Sequence, residues 1–235
     1  MDLKHQLALV EELPKDMREK VLRSKIEECC KTYGHLKING EENLKGIEGP
    51  IIFISNHLSN SDGMFLDIAL KEYKPVFVAG EKLSKNHFTN LVLDLVERVI
   101  IKPNSADKDA IAAVINTLKS GRNIMIFPEG TRSRTCEMIE AKKGIILIAK
   151  LSKATIVPVG ITGTEKFMPI NKNEMESEEI CEANVELNVG KPFKLPAKEK
   201  DEDRNEYHER ALWEIMTSVS TLLPEEYQGF YKINK

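Results

Sequence analysis

The chain has 235 residues, of which 41% are hydrophobic and 30% charged, with a net charge of −3. That length fits one sizeable α/β domain with room for a small helical appendage, and the apolar fraction is enough to bury a core. A near-balanced charge argues against a nucleic-acid partner held by a strong basic field, and no apolar run approaches the ~18 residues of a membrane span. The four cysteines, Cys29, Cys30, Cys136 and Cys181, show no C-x-x-C spacing and have no histidine at zinc-ligand distance. Free thiols in a reducing, cytoplasmic setting are therefore expected, with no metal. No N-terminal stretch has a charged start followed by a continuous apolar core, so no signal peptide is expected.

In chain order, residues 1–36 predict a small helical motif of two helices broken near Pro14. Leu3, Leu7 and Val10 form one apolar stripe; Met17, Val21, Leu22, Ile26, Cys29, Cys30 and Tyr33 form another. The segment carries seven basic and seven acidic residues, without the cationic excess of a helix that lies on a membrane. Packing against the main domain is the expectation. From about Leu36 the pattern changes to strands alternating with helices, so residues 37–235 are read as one α/β domain. Strands are predicted at 50–55, 75–79, 98–102, 123–127, 155–161 and 184–189. Helices are predicted at 61–71, 84–96, 106–119 and 138–152, with Gly121 placed to end the third. Such alternation predicts a mostly parallel, mixed sheet covered by helices. Residues 171–179 are polar and acidic, an exposed loop or short helix, and a last helix is predicted over about 200–222.

Two loops carry the chemistry. The first, Asn56-His57-Leu58-Ser59-Asn60-Ser61-Asp62, follows the apolar run Ile51-Ile52-Phe53-Ile54. On one continuous helix, residues five apart point about 140° away from each other, so His57 and Asp62 meet only if the chain bends between them. Asn60, Ser61, Asp62 and Gly63 are turn and capping residues that supply such a bend. A histidine held by a carboxylate through one ring nitrogen presents the other as a base. The second loop, Phe127-Pro128-Glu129-Gly130-Thr131-Arg132-Ser133, follows Ile124-Met125-Ile126, at a carboxyl strand end where open α/β sheets place ligands. Arg132 can fork onto phosphate oxygens, Glu129 can accept from hydroxyls, and Gly130 lets a substrate approach the backbone.

Together these segments resemble the glycerolipid acyltransferase family, typified by lysophosphatidate (1-acylglycerol-3-phosphate) O-acyltransferases. The family's first block, N-H-x-S-x-x-D, is matched by Asn56, His57, Ser59 and Asp62, and its F-P-E-G-T-R-S block by Phe127 to Ser133 without a gap. Its apolar strand broken by proline is similar to Ile156-Val157-Pro158-Val159, and the likeness runs from about Gly40 to Val189. Two positions depart from the pattern. Gly80 stands where members commonly carry a lysine, leaving Lys82 as the nearby cation, and the second block ends in Lys102 rather than arginine. Lysine lacks the bidentate fork, so Lys102 would hold a phosphate less directionally.

The resemblance implies transfer of a fatty acyl group from a thioester, acyl-CoA or an acyl carrier protein, to a lysophospholipid hydroxyl in phospholipid synthesis, at a membrane surface and without a further cofactor. His57 would be the general base, with Asp62 fixing its tautomer. Arg132, with Lys102 or Lys82, would clamp the acceptor phosphate. Glu129 and Thr131 would contact glycerol hydroxyls or order the loop, and Gly80, Gly130, Asn56, Ser59 and Ser133 complete the expected substrate-binding set. Candidates for an acyl slot are Met64, Phe65, Leu66 and Leu91-Val92-Leu93, each read first as core packing; Lys142-Lys143 could meet donor phosphates or simply be a solvated helix start. The departures leave glycerol 3-phosphate, another lysophospholipid or an amino-acid lysolipid open as acceptor. A serine esterase or thioesterase would need a G-x-S-x-G elbow, which the chain lacks. A non-catalytic lipid-binding protein would have no need of both His57 and Asp62.

Overall fold

A computed structural model describes residues 13–80, 95–101, 108–169 and 179–233. The first helix, α1, spans Lys15–Thr32, and its opening turn is closed by Met17 and Arg18 N–H groups donating to the Pro14 carbonyl at 3.0 and 2.8 Å. The helix expected before Pro14 lies outside the described residues. Strand β1, Lys37–Asn39, follows, then β2 at Ile51–Ser55 and α2 at Asp62–Ala69. Next come β3 at Val76–Gly80, β4 at Arg98–Ile101, α3 at Lys108–Lys119 and β5 at Ile124–Ile126. The chain continues through α4 at Gly144–Ser152, β6 at Thr155–Thr162 and the one-turn α5 at Thr164–Phe167. It ends with β7 at Glu186–Val189 and α6 at Arg204–Ser220, the latter started by a capping box between Asp203 and Glu206.

The strands form one sheet in the order β1-β7-β6-β2-β5-β3-β4. Pairing is parallel throughout except between β6 and β7, so β1 and β7 run against the other five. This is the mostly parallel mixed α/β sheet that the alternation of elements predicts. Sequence reading misses β1, which at three residues is too short to show a period.

Side chains alternate across the sheet. Ile51 and Phe53 enter a core shared with Leu22, Ile26, Cys29 and Cys30 of α1 and Met64, Phe65 and Leu66 of α2. Ile52 and Ile54 enter the opposite core, with Val114 and Leu118 of α3, Ile145 and Ile148 of α4, and Ile215 and Val219 of α6. A central strand covered on both faces is apolar at every position, and all of β2 is buried. Of the apolar stripe of α1, Val21, Leu22, Ile26, Cys29 and Cys30 pack on the sheet domain, whereas Met17 and Tyr33 are exposed. Met64, Phe65 and Leu66 are buried in the core, Met64 also bordering a small pocket with Ile26, Ile68 and Val96, and Leu91–Leu93 fall outside the described residues.

One predicted element is corrected. Residues 138–143 do not begin the helix expected at 138–152; they form a loop whose N–H groups reach other segments. Met138 N–H donates to Tyr227 O and Lys142 N–H to Pro128 O, each at 2.8 Å. The apolar spacing of Met138, Ala141 and Ile145 fits a helix, but non-local hydrogen bonds hold the first half extended over the second loop.

Candidate active site

Strands β2 and β5 are hydrogen-bonded neighbours running in the same direction, so the loops that leave their carboxyl ends emerge side by side. After Ser55 the chain turns, and Asp62 opens α2. The bend brings the two ionisable groups together: His57 Nδ1 lies 2.7 Å from Asp62 Oδ2. The same oxygen accepts the main-chain N–H of Leu58 at 2.7 Å and of Ser59 at 3.0 Å. Asp62 is wholly buried, while the His57 side chain keeps 21% of its surface. Three nitrogens thus converge on Asp62 Oδ2 at the amino end of α2. An acceptor-only oxygen opposite Nδ1 fixes the proton there, and Nε2 is left as the basic nitrogen. The ring is braced from one side by Phe127, stacked at 4.0 Å between centroids and 16° between planes.

The second loop is tied to the first by Glu129. Its Oε1 accepts His57 N–H and its Oε2 accepts Ile139 N–H, both at 3.0 Å. At 1% exposure it has no open oxygen to offer a substrate. Burial pushes its carboxyl up to about 7, against the pull of the Ile139 and His57 N–H groups and with a small push from the Asp62 charge. Ser133 N–H donates to His57 O at 2.8 Å, a second clamp between the loops. Gly130 sits at the turn with φ +72, a conformation that a side chain disfavours, and its face lies against the Lys142 stem.

Several residues expected to face an acceptor are therefore part of the scaffold. Asn56 is buried, its amide donating to Ile161 O and accepting from Ile161 N–H, both at 2.9 Å, which pins the loop to β6. Ser59 is also buried, its hydroxyl donating to Met168 O at 3.0 Å. Ser133 is buried beneath Thr135, whose N–H reaches its hydroxyl at 3.3 Å. A short polar side chain in a tight loop reaches main-chain groups before it reaches solvent, so these three are buried against main-chain partners, and of the two roles expected for Glu129 its contacts match ordering the loop.

What does face outward is Gly130, Thr131, Arg134 and the partly exposed Arg132 and His57, with Lys142 and Lys143 beside them. Gly80 ends β3 at an exposed position with no described residue within 4 Å of where a side chain would start, one strand beyond β5 on the same edge of the sheet. Lys82 and Lys102 lie outside the described residues; Lys102 follows Ile101, which pairs with Gly80. Among the described residues no group of three His, Cys, Asp or Glu side chains is placed to hold a metal ion, and no helix is long and apolar enough to cross a membrane. Sequence reading missed the Phe127 stack and the part played by Ile139, Met168 and Tyr227. Only the first had a signal, an aromatic residue opening the second motif.

The chain is similar to known proteins in sequence and in fold. A family model described as Acyltransferase matches residues 35–162, more than half of the chain. The chain is 28% identical over 161 residues to the chloroplastic 1-acyl-sn-glycerol-3-phosphate acyltransferase of Arabidopsis thaliana, covering 67% of itself and 43% of that protein. It is 26% identical over 173 residues to the 1-acyl-sn-glycerol-3-phosphate acyltransferase of Bacillus subtilis, covering 71% of itself and 81% of that protein. The chain thus spans less than half the length of the plant relative. Its fold matches the crystal structure of the 1-acyl-sn-glycerophosphate acyltransferase of Thermotoga maritima with a TM-score of 0.56 at 24% identity, over 89% of this chain and 85% of that one. With the paired His57 and Asp62 and the Phe127–Ser133 loop lying inside the matched span, the chain belongs to the Acyltransferase family.

Proposed function

We propose that this protein is an O-acyltransferase that moves a fatty acyl group from a thioester to the free hydroxyl of 1-acylglycerol 3-phosphate. The observation that carries the reading is the 2.7 Å contact between His57 Nδ1 and the buried Asp62, with the partly exposed Arg132 one residue before Ser133, whose N–H donates to His57 O. The relatives named above as 1-acyl-sn-glycerol-3-phosphate acyltransferases support the choice of acceptor.

The chemistry runs in one displacement. His57 Nε2 takes the proton of the acceptor hydroxyl as its oxygen bonds to the thioester carbonyl carbon. Asp62 stabilises the imidazolium that forms, a contribution of typically ~10²–10⁴ in rate for the positioned base. The tetrahedral intermediate collapses with cleavage of the carbon–sulfur bond, and the leaving thiolate recovers the proton from His57. No protein nucleophile is required, since both substrates are bound together. Arg132 holds the acceptor phosphate, and Thr131 lies within the same outward loop to meet glycerol oxygens. Glu129 acts on the loop rather than on the substrate. The acceptor is itself a lipid, so the reaction takes place at a membrane surface.

The test follows thioester consumption by purified protein offered lysophosphatidate and glycerol 3-phosphate together, with acyl-CoA or acyl carrier protein as donor and products read by mass spectrometry. A diacylated phosphatidate that is absent with His57→Ala establishes the reaction and its base. Acylated glycerol 3-phosphate instead moves the acceptor, and thioester hydrolysis alone replaces the reading with a thioesterase.

A further inference from the structure

Tyr227 belongs to neither motif, yet it joins the two loops that bear them. It lies in the 3-10 turn Glu225–Tyr227 beyond α6 and is 8% exposed. Its main-chain carbonyl accepts Met138 N–H at 2.8 Å, and the next residue, Ile139, donates to Glu129, which in turn holds His57 N–H. Its side chain reaches the other way, the hydroxyl donating to Glu165 Oε1 at 2.7 Å. Glu165 stands in α5, a turn closed by Met168 N–H on Thr164 O at 2.9 Å. Met168 O accepts the Ser59 hydroxyl, and Ser59 N–H donates to the Asp62 oxygen that holds His57. The hydrogen bonds thus make a closed circuit, with His57 on one side of it and Tyr227 opposite.

We propose that the Tyr227–Glu165 hydrogen bond is a positioning clasp that fixes the His57–Asp62 loop relative to the Phe127–Ser133 loop, and that turnover depends on it. The inference rests on the acyl-transfer reading for its effect on rate, and on geometry for its effect on the loops. The Glu165 side chain is 11% exposed, and among the described residues its buried Oε2 has no hydrogen-bond partner. Without the Tyr227 hydroxyl, a nearly buried carboxylate would keep, among the described residues, Lys166 Nζ at 4.0 Å on a side chain 72% exposed. A carboxylate so placed moves toward water and takes α5 with it. Burial and the Glu165 carboxylate hold the Tyr227 hydroxyl protonated well above the ordinary tyrosine range, which keeps it a donor to Glu165. A base displaced by a fraction of an ångström loses alignment with the attacking hydroxyl, whereas substrate binding through Arg132 is little changed.

Tyr227→Phe deletes the donor and keeps both the ring and the main-chain contact to Met138. It is expected to lower kcat about tenfold while both KM values stay within about twofold. Glu165→Ala should match it, and the double variant should be no slower than the slower single, because one interaction is lost in all three. Amide exchange gives a second readout that needs no activity: protection at Ile139 and Ser59 should fall in Tyr227→Phe while Val114 and Leu118 in α3 keep theirs. Unchanged kcat in Tyr227→Phe, effects that multiply in the double variant, or exchange that quickens throughout the fold would each overturn the clasp. Wild-type protein without acyl transfer would refute the reaction, and the exchange pattern would still judge the clasp.

Discussion

The two motif loops leave adjacent strands and look alike in sequence, each a run of short polar residues after an apolar strand. They are built differently. In the loop after β2, Asn56, Ser59 and Asp62 turn inward, bonded to Ile161, Met168 and the loop's own main chain, and His57 alone of the motif's four residues reaches the surface. The loop after β5 alternates: Glu129 and Ser133 point in, while Gly130, Thr131 and Arg132 stay at least partly exposed. The first loop aims one group; the second grips that loop with one set of side chains and presents another. A motif residue's chemistry therefore does not reveal its role, because the same carboxylate type serves as partner of the base at Asp62 and as a brace at Glu129.

Substitutions in the two loops break or sharpen this contrast. The largest effect is expected for His57→Ala, a fall of roughly 10²–10⁴ in kcat/KM with an unaltered far-ultraviolet spectrum, since it removes the one residue of the motif's four that reaches the surface. Retention of more than a tenth of wild-type turnover would remove His57 as the base. Glu129→Gln follows, with kcat lower by about 10–100-fold and little change in KM, because one of its two N–H contacts then meets an amide rather than an acceptor oxygen.

The same variant carries a pH signature. Burial raises the Glu129 carboxyl from its ordinary 4.5 to about 7. A raised acid contributes stability that is complete below the lower value and is lost as pH rises through the upper one. The melting temperature of the wild type minus that of Glu129→Gln should fall between about pH 4.5 and about pH 7; a constant difference would mean that Glu129 does not titrate in that window.

Arg132→Lys probes the outward face. Losing the planar fork should raise KM for the acceptor about tenfold and leave kcat within about threefold, measured in a steady-state series over acceptor concentration. A fall in kcat at constant KM would place Arg132 with the braces. Ser133→Ala should do least, costing about 1 kcal/mol in urea denaturation through the lost Thr135 contact, with kcat within about twofold. If Ser133→Ala instead raised KM as Arg132→Lys does, the inward and outward division of the second loop would be wrong.

Much of the fold was legible because strands buried on both faces and helices with one apolar stripe leave a local signature. The runs at Ile51–Ile54 and Ile156–Val159 became the two central strands β2 and β6, and the Asp203–Glu206 start of α6 is a local hydrogen-bond pattern written in four residues. Residues 138–143 misled for the opposite reason: their contacts, to Pro128, Glu129, Tyr227 and Tyr231, come from segments distant in sequence. The strand β1 was invisible because three residues carry too little pattern, and it exists only by pairing with β7.

Within the site, the sequence alone determined which chemical groups are present and that a bend must separate His57 from Asp62, since spacing and turn composition are local properties. Only the tertiary structure decided which of those groups remain open to a substrate. Burial of Glu129, Asn56, Ser59 and Ser133 depends on what the neighbouring strand, the 164–168 turn and the C-terminal segment supply as partners. A polar side chain points wherever its hydrogen bonds can be satisfied at least cost, and for these residues the partners lie on other elements of the fold.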